Sequence, residues 1–123
     1  MTKRDKPKQY DLEDRTLAFA KRVRALVKKL KKTMGNMEDG KQVIRASGSV
    51  GANYIEANES LSKKDFIMRI KISRKEAKES RYWLRLLDIG DAPEQENERK
   101  VLVNEATELM NIFGAILVKS KSG

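Results

Sequence analysis

Four stretches of this chain place apolar or small residues alternately four and three positions apart, and that spacing puts them on one side of an α-helix. The first stripe is Leu12, Thr16, Phe19, Val23, Leu26 and Leu30. The second is Val43, Ser47, Val50, Tyr54 and Ala57. The third is Phe66, Ile70, Ser73, Ala77, Ser80, Leu84 and Leu87, and the fourth Leu102, Ala106, Leu109, Phe113 and Ile116. A helix with so narrow a stripe cannot bury it alone, so the four must face one another. Short connections make consecutive helices antiparallel neighbours. The spacing predicts an all-α fold, an antiparallel up-down-up-down four-helix bundle, with helices at about 11–34, 39–58, 62–89 and 93–119. Residues 1–9 are expected as a basic N-terminal tail, 10–119 as the bundle and 120–123 as a C-terminal tail.

Local chemistry marks the helix ends. Asp11 is suited to cap the first helix, with Glu13 and Asp14 at the positive end of its dipole and Lys28 to Lys32 in its last turn. Gly35 and Asn36 are expected to stop it. Ser62 followed by Asp65 resembles a capping box for the third helix, Gly90 offers a left-handed stop, and Pro93 fits the first turn of the fourth. The middle of the second helix, Ala46-Ser47-Gly48-Ser49-Val50-Gly51-Ala52, is unusually small. Each mid-helix glycine costs about 0.5–1 kcal/mol relative to alanine, so a close approach by a neighbouring backbone is expected to offset it. A glycine-rich phosphate loop would need the Walker lysine and a preceding strand, and both are missing.

The chain contains no cysteine and no histidine. Disulfides, thiol catalysis, Cys- or His-based zinc sites and the Glu-x-x-His motif of di-iron bundles are therefore excluded. Serine and threonine have no imidazole to activate them. The pairs Glu76 with Glu79 and Glu105 with Glu108 could hold a hard cation, but their mixed-charge surroundings point to solvated faces. No enzyme activity, no metal and no cofactor are expected. The charged start of the chain has no apolar run behind it, which argues against a signal peptide. No stretch approaches the roughly 20 apolar residues that span a bilayer. These features together predict a cytoplasmic protein with no membrane partner.

Net charge is +9 and the isoelectric point about 9.8, which favours anionic partners. The charge is polarised along the chain. Between Lys3 and Lys32 twelve basic residues face four acidic ones, and between Lys63 and Arg85 nine face three. Between Asp91 and Asn111 the balance reverses, with six acidic residues against Arg99 and Lys100. On the third helix Lys64, Lys71, Lys75, Lys78 and Arg85 share a track about 200° from the core stripe, with Met68 and Tyr82 filling its gaps. Such a row can follow a phosphate backbone, with Tyr82 stacking on a base and the basic first helix assisting. It can equally be an ordinary solvated face, or a surface that meets the acidic fourth helix of another subunit. Asn53 and Glu56 are expected as structural polar groups pairing between helices, for instance with Ser73, Arg74 or Ser80, and Glu56 needs such a partner if it is inside, since an unpaired buried carboxylate costs several kcal/mol. Trp83 and Ile72 lie on a flank of the third helix, where Trp83 either completes a broad core or marks a subunit interface.

The run Ser49-Val50-Gly51-Ala52-Asn53-Tyr54-Ile55-Glu56-Ala57 resembles a bacterial family of small four-helix-bundle proteins encoded in intervening sequences of 23S ribosomal RNA genes, also labelled S23 ribosomal proteins. The resemblance continues through Ser62-Lys63-Lys64-Asp65-Phe66 and from Lys75 to Leu87. It implies an antiparallel bundle that assembles as a ring-shaped homopentamer. It also suggests kinship with the accessory variability protein of diversity-generating retroelements, a basic pentamer that binds nucleic acid and a reverse transcriptase; that likeness is confined to bundle and charge. The family supplies no catalytic residues to carry over. Two functions fit these observations: an oligomer binding RNA or DNA through its basic surface, and a scaffold whose basic face docks an acidic protein partner.

Overall fold

The structure, a computed structural model, describes residues 12–122. Four helices follow in order: α1 (Leu12–Lys29), α2 (Met34–Asn58), α3 (Lys63–Leu86) and α4 (Pro93–Ser122). Each packs antiparallel on the next, α1 also lies beside α4, and the four stripes meet in one core. Every member of the first stripe is buried. Of the remaining stripe residues only Tyr54, Phe66 and Ile116 are half-buried, and all three pack against the core from its edge. Phe19, Leu26, Ile70, Leu84, Leu102, Leu109 and Phe113 are fully enclosed, and each such side chain contributes about 1.5–3 kcal/mol by leaving water.

The small residues of α2 set how closely its neighbours approach. A Cβ on Gly51 would lie 2.7 Å from Thr16 Oγ1, and one on Gly40 would lie 2.9 Å from Val27 Cγ1. Both glycines therefore admit α1. Gly48 meets nothing within 4 Å, so the expected close approach holds for Gly51 and fails for Gly48. On the other side, Ser73 Oγ of α3 donates to the carbonyl of Val50 at 2.9 Å. Thr16 and Ser80, also buried, return their hydroxyls to carbonyls of their own helices, so these three buried hydroxyls are satisfied.

The helix ends and the apolar content of α4 depart from expectation in four places. The cap expected at Asp11 and the N-terminal tail lie outside the described residues. First, α1 ends at Lys29, and Gly35 with Asn36 does not stop it but opens α2. Thr33 is the actual cap, its Oγ1 accepting from Asn36 N at 3.1 Å. The Asn36 side chain is pulled inward instead: its amide nitrogen donates to the carbonyls of Lys31 (3.0 Å) and Asp88 (2.9 Å), and its oxygen accepts from Asp88 N (2.9 Å). One buried side chain thus stitches the α1–α2 connection to the α3–α4 connection. Second, α3 ends at Leu86, earlier than 89: the backbone turns extended at Leu87 (φ −57°, ψ 137°), and the Arg99 guanidinium donates to the freed carbonyl of Leu87 at 2.6 Å. Gly90 does adopt the left-handed conformation (φ 70°), but within the connecting loop. Third, α4 runs on to Ser122 where a tail from 120 was expected. Fourth, α4 contains a segment within Pro93–Lys121 that is long and apolar enough, with mean hydropathy 1.5, to cross a membrane. Glu105 and Glu108 interrupt the apolar run and hide it from a residue-by-residue reading, while Leu102, Ala106, Leu109 and Phe113 of α4 are fully buried in the bundle. At Ser62 the expected cap is present, accepting from Asp65 N at 3.1 Å.

Two alanine substitutions on α2 should separate packing from helix propensity. Gly51→Ala drives a methyl into Thr16, whose hydroxyl is held by two carbonyls, and is expected to lower stability by about 1–3 kcal/mol in urea denaturation. Gly48→Ala, with open space around it, should raise stability by about 0.5–1 kcal/mol.

Candidate nucleic-acid interface

Helix α4 carries the excess of carboxylates, and α1 neutralises it from within the same chain. The Arg15 guanidinium holds Glu105 through two hydrogen bonds (2.7 and 2.9 Å) and reaches Glu108 at 2.7 Å. Arg22 grips Glu98 through two more, at 2.9 and 2.8 Å, and Arg99 pairs with Glu96 at 2.7 Å. Hydrogen bonding to Glu105 holds the Arg15 guanidinium even further above its ordinary range, against the opposing effect of burial, and Glu98 does the same for Arg22. These arginines stay charged wherever the bundle is folded. The acidic face is therefore largely engaged within the chain.

The α3 track is laid out as the spacing predicts. Lys64, Lys71, Lys75, Lys78 and Arg85 are all exposed, with Met68 and Tyr82 beside them at 47% and 58% exposure. Its first turns border a shallow hollow formed by Lys63, Lys64, Asp65, Ile67, Met68 and Lys71. The Tyr82 ring stands edge-on to Trp83, with centroids 5.1 Å apart and planes at 76°. Trp83 is half-buried and packs against the core, so it completes the core and at the same time braces Tyr82. A ring held this way keeps much of its surface available for stacking at little further ordering cost. Arg69 and Arg81, by contrast, turn to neighbouring helices: Arg69 donates to Asn53 (2.9 Å) and Arg81 to Thr107 (3.1 Å).

The polar pair of α2 is divided. Asn53 does pair between helices, but with Arg69 rather than Ser73, Arg74 or Ser80, and its amide nitrogen donates to Ser49 O (3.0 Å) and Oγ (2.9 Å). Ser73 and Ser80 are already engaged by backbone carbonyls. Glu56 is exposed, so it needs no buried partner. The buried carboxylate is Glu76 of α3, for which a solvated face was expected. It is 6% exposed, its Oε1 makes no hydrogen bond among the described residues, and its nearest cations are Arg45 (3.7 Å) and Lys75 (3.9 Å). Its position three residues after Ser73 and one before Ala77 places it at the border of the core stripe, which was the available signal. Glu79 shares Arg45 at 3.7 Å. Among the described residues no three His, Cys, Asp or Glu side chains are grouped to hold a metal ion.

Both the bundle and the sequence that builds it have counterparts among known proteins. The family model described as 23S rRNA-intervening sequence protein matches residues 8–115. A crystal structure of a protein of unknown function from the S23 ribosomal protein family of Bacteroides thetaiotaomicron VPI-5482 is 33% identical, with a TM-score of 0.71 over 85% of this chain and 96% of the other. A search of curated proteins finds no match.

The pairing of Arg45 with Glu76 can be tested directly. Arg45→Ala leaves a buried carboxylate with poorer compensation and should lower stability by about 1–2 kcal/mol, while Glu76→Gln in the same chain should recover most of that loss. Equal losses in the single and double variants, read from denaturation curves, would show the two residues to be uncoupled.

Proposed function

We propose that this chain, which belongs to the family of 23S rRNA-intervening sequence proteins, is a non-enzymatic protein of the cytoplasm that binds RNA through the outer face of α3 and works as a homo-oligomer. One observation carries the reading. With Glu96, Glu98, Glu105 and Glu108 engaged by arginines of the same chain, the positive excess is concentrated on exposed lysines, and α3 arrays five cations in one row with a braced aromatic ring among them. Phosphates along a single strand displace counterions as they meet such a row, and unstacked bases find a ring to lie on. Lys75 contributes less than its neighbours because Glu76 lies 3.9 Å away. No sequence selectivity is built into a surface of flexible ammonium groups, so binding is expected to follow charge and single-strandedness. The absence of histidine and cysteine supports a role without catalysis.

Fluorescence anisotropy with labelled single-stranded RNA across a salt series tests this. Log affinity should fall linearly with log salt, and replacing Lys71 and Lys78 by alanine should reduce the slope by about 0.7 for each phosphate no longer neutralised. Tyr82→Ala should weaken binding by about 1–3 kcal/mol, whereas Tyr82→Phe should retain it. Affinity indifferent to salt, or none at low salt, sinks the proposal. The assembled state belongs to the same reading, a ring-shaped homopentamer being what the family resemblance implies. Light scattering that returns the 14.1 kDa mass of one chain would remove that part.

A further inference from the structure

A second electropositive surface lies where α1 ends and α2 begins, and the nucleic-acid reading does not use it. Here the two helices leave a groove of about 280 Å³ whose floor is aliphatic, formed by Val27, Leu30, Met37 and Ile44. Gly40 belongs to the same floor, and its missing side chain lets Val27 settle against α2. Four ammonium groups, those of Lys28, Lys31, Lys32 and Lys41, ring the groove, and among the described residues no carboxylate lines it. Asn36 closes one end, with its amide fully engaged by Lys31 and Asp88, so that end is fixed in place. Met37 is 54% exposed at the mouth, and Met34 beside it 84%.

The groove makes two demands at once. Its rim requires negative charge, and its floor requires an apolar group that a phosphate strand does not carry. Bases dock by stacking on aromatic or guanidinium planes, and the lining contains neither. A short protein segment supplies both features when an aliphatic anchor points down and Asp or Glu residues flank it, and exposed methionines adapt to such anchors. We infer that the α1–α2 groove is a docking site for a short acidic segment of a partner protein, anchored by aliphatic side chains on Val27, Leu30, Met37 and Ile44 and held at its edges by the four lysines.

The test uses the full chain and a fluorescein-labelled synthetic peptide with leucines three and four apart and glutamates elsewhere. Two control peptides replace its leucines by serine or its glutamates by glutamine. The parent peptide should bind more tightly than either control. In protein labelled at its methionine methyl groups, binding should move the Met37 resonance and leave Met68, on the α3 track, in place. Lys31→Glu with Lys41→Glu, both exposed positions, should weaken the peptide by about tenfold, as should Ile44→Glu, while Lys71→Glu with Lys78→Glu should leave it unchanged. Circular dichroism checks that each variant is folded. The inference is overturned by equal binding of the serine control, by a shift at Met68 instead of Met37, by unchanged affinity in the Lys31/Lys41 variant, or by no binding at about 1 mM peptide. The α3 variants report separately on RNA, so either reading can fail without the other.

Discussion

Mutual burial of four narrow apolar stripes is the constraint from which the rest of this molecule follows. A helix of eighteen to thirty residues in water gains little from its own hydrogen bonds and depends on tertiary contact for its stability. Each helix here has one apolar side and one charged side, so the stripes can be hidden only in the middle, and everything cationic is pushed outward. The location of the candidate binding surface is therefore a by-product of packing. The lysines of α3 stand where they do because Ile70, Ser73, Ala77, Ser80 and Leu84 occupy the opposite side.

The four seams between neighbouring helices are not alike. Between α2 and α3 the approach is close and made by small residues, with Ser73 bonded to the Val50 carbonyl. Between α1 and α2 two glycines receive side chains of α1. Where α1 meets α4 the helices touch least, and arginine–carboxylate pairs bridge them at the rim. Half-exposed pairs of this kind contribute modestly and weaken with salt. Their larger effect is on the field outside the protein: they offset the acidic helix and leave α3 and the end of α1 as the places where positive charge is concentrated.

The stripes were legible in the sequence because periodicity is a local property that tertiary structure has little reason to override. The exposed positions of Lys64, Lys71, Lys75, Lys78, Tyr82 and Arg85 followed directly, being the complement of the core side. Helix ends were harder to read. Asn36 has the composition of a stop signal, yet its amide serves a partner 52 residues away, and no local pattern encodes Asp88. Arg99 caps the end of α3 in the same non-local manner. Glu76 was missed because its neighbours in sequence are charged while its neighbours in space are not all so. The pairing of α4 with α1 within one chain was likewise invisible, since charge counts along a chain do not say which helix lies beside which.

Asn36 also gives the bundle a direction. At the end of the bundle where it sits, two of the three interhelical connections are sewn together through its amide, and Arg99 ties the last carbonyls of α3 down beside them. The opposite end holds the remaining connection, with Leu61 almost wholly in solvent at its tip. The two ends are therefore fastened by different means, one by the Asn36 amide and the Arg99 guanidinium reaching across connections, the other by contacts such as the exposed hydrogen bond from Asn58 Nδ2 to Glu13 Oε2. Slow amide exchange should be graded along the bundle axis rather than partitioned helix by helix.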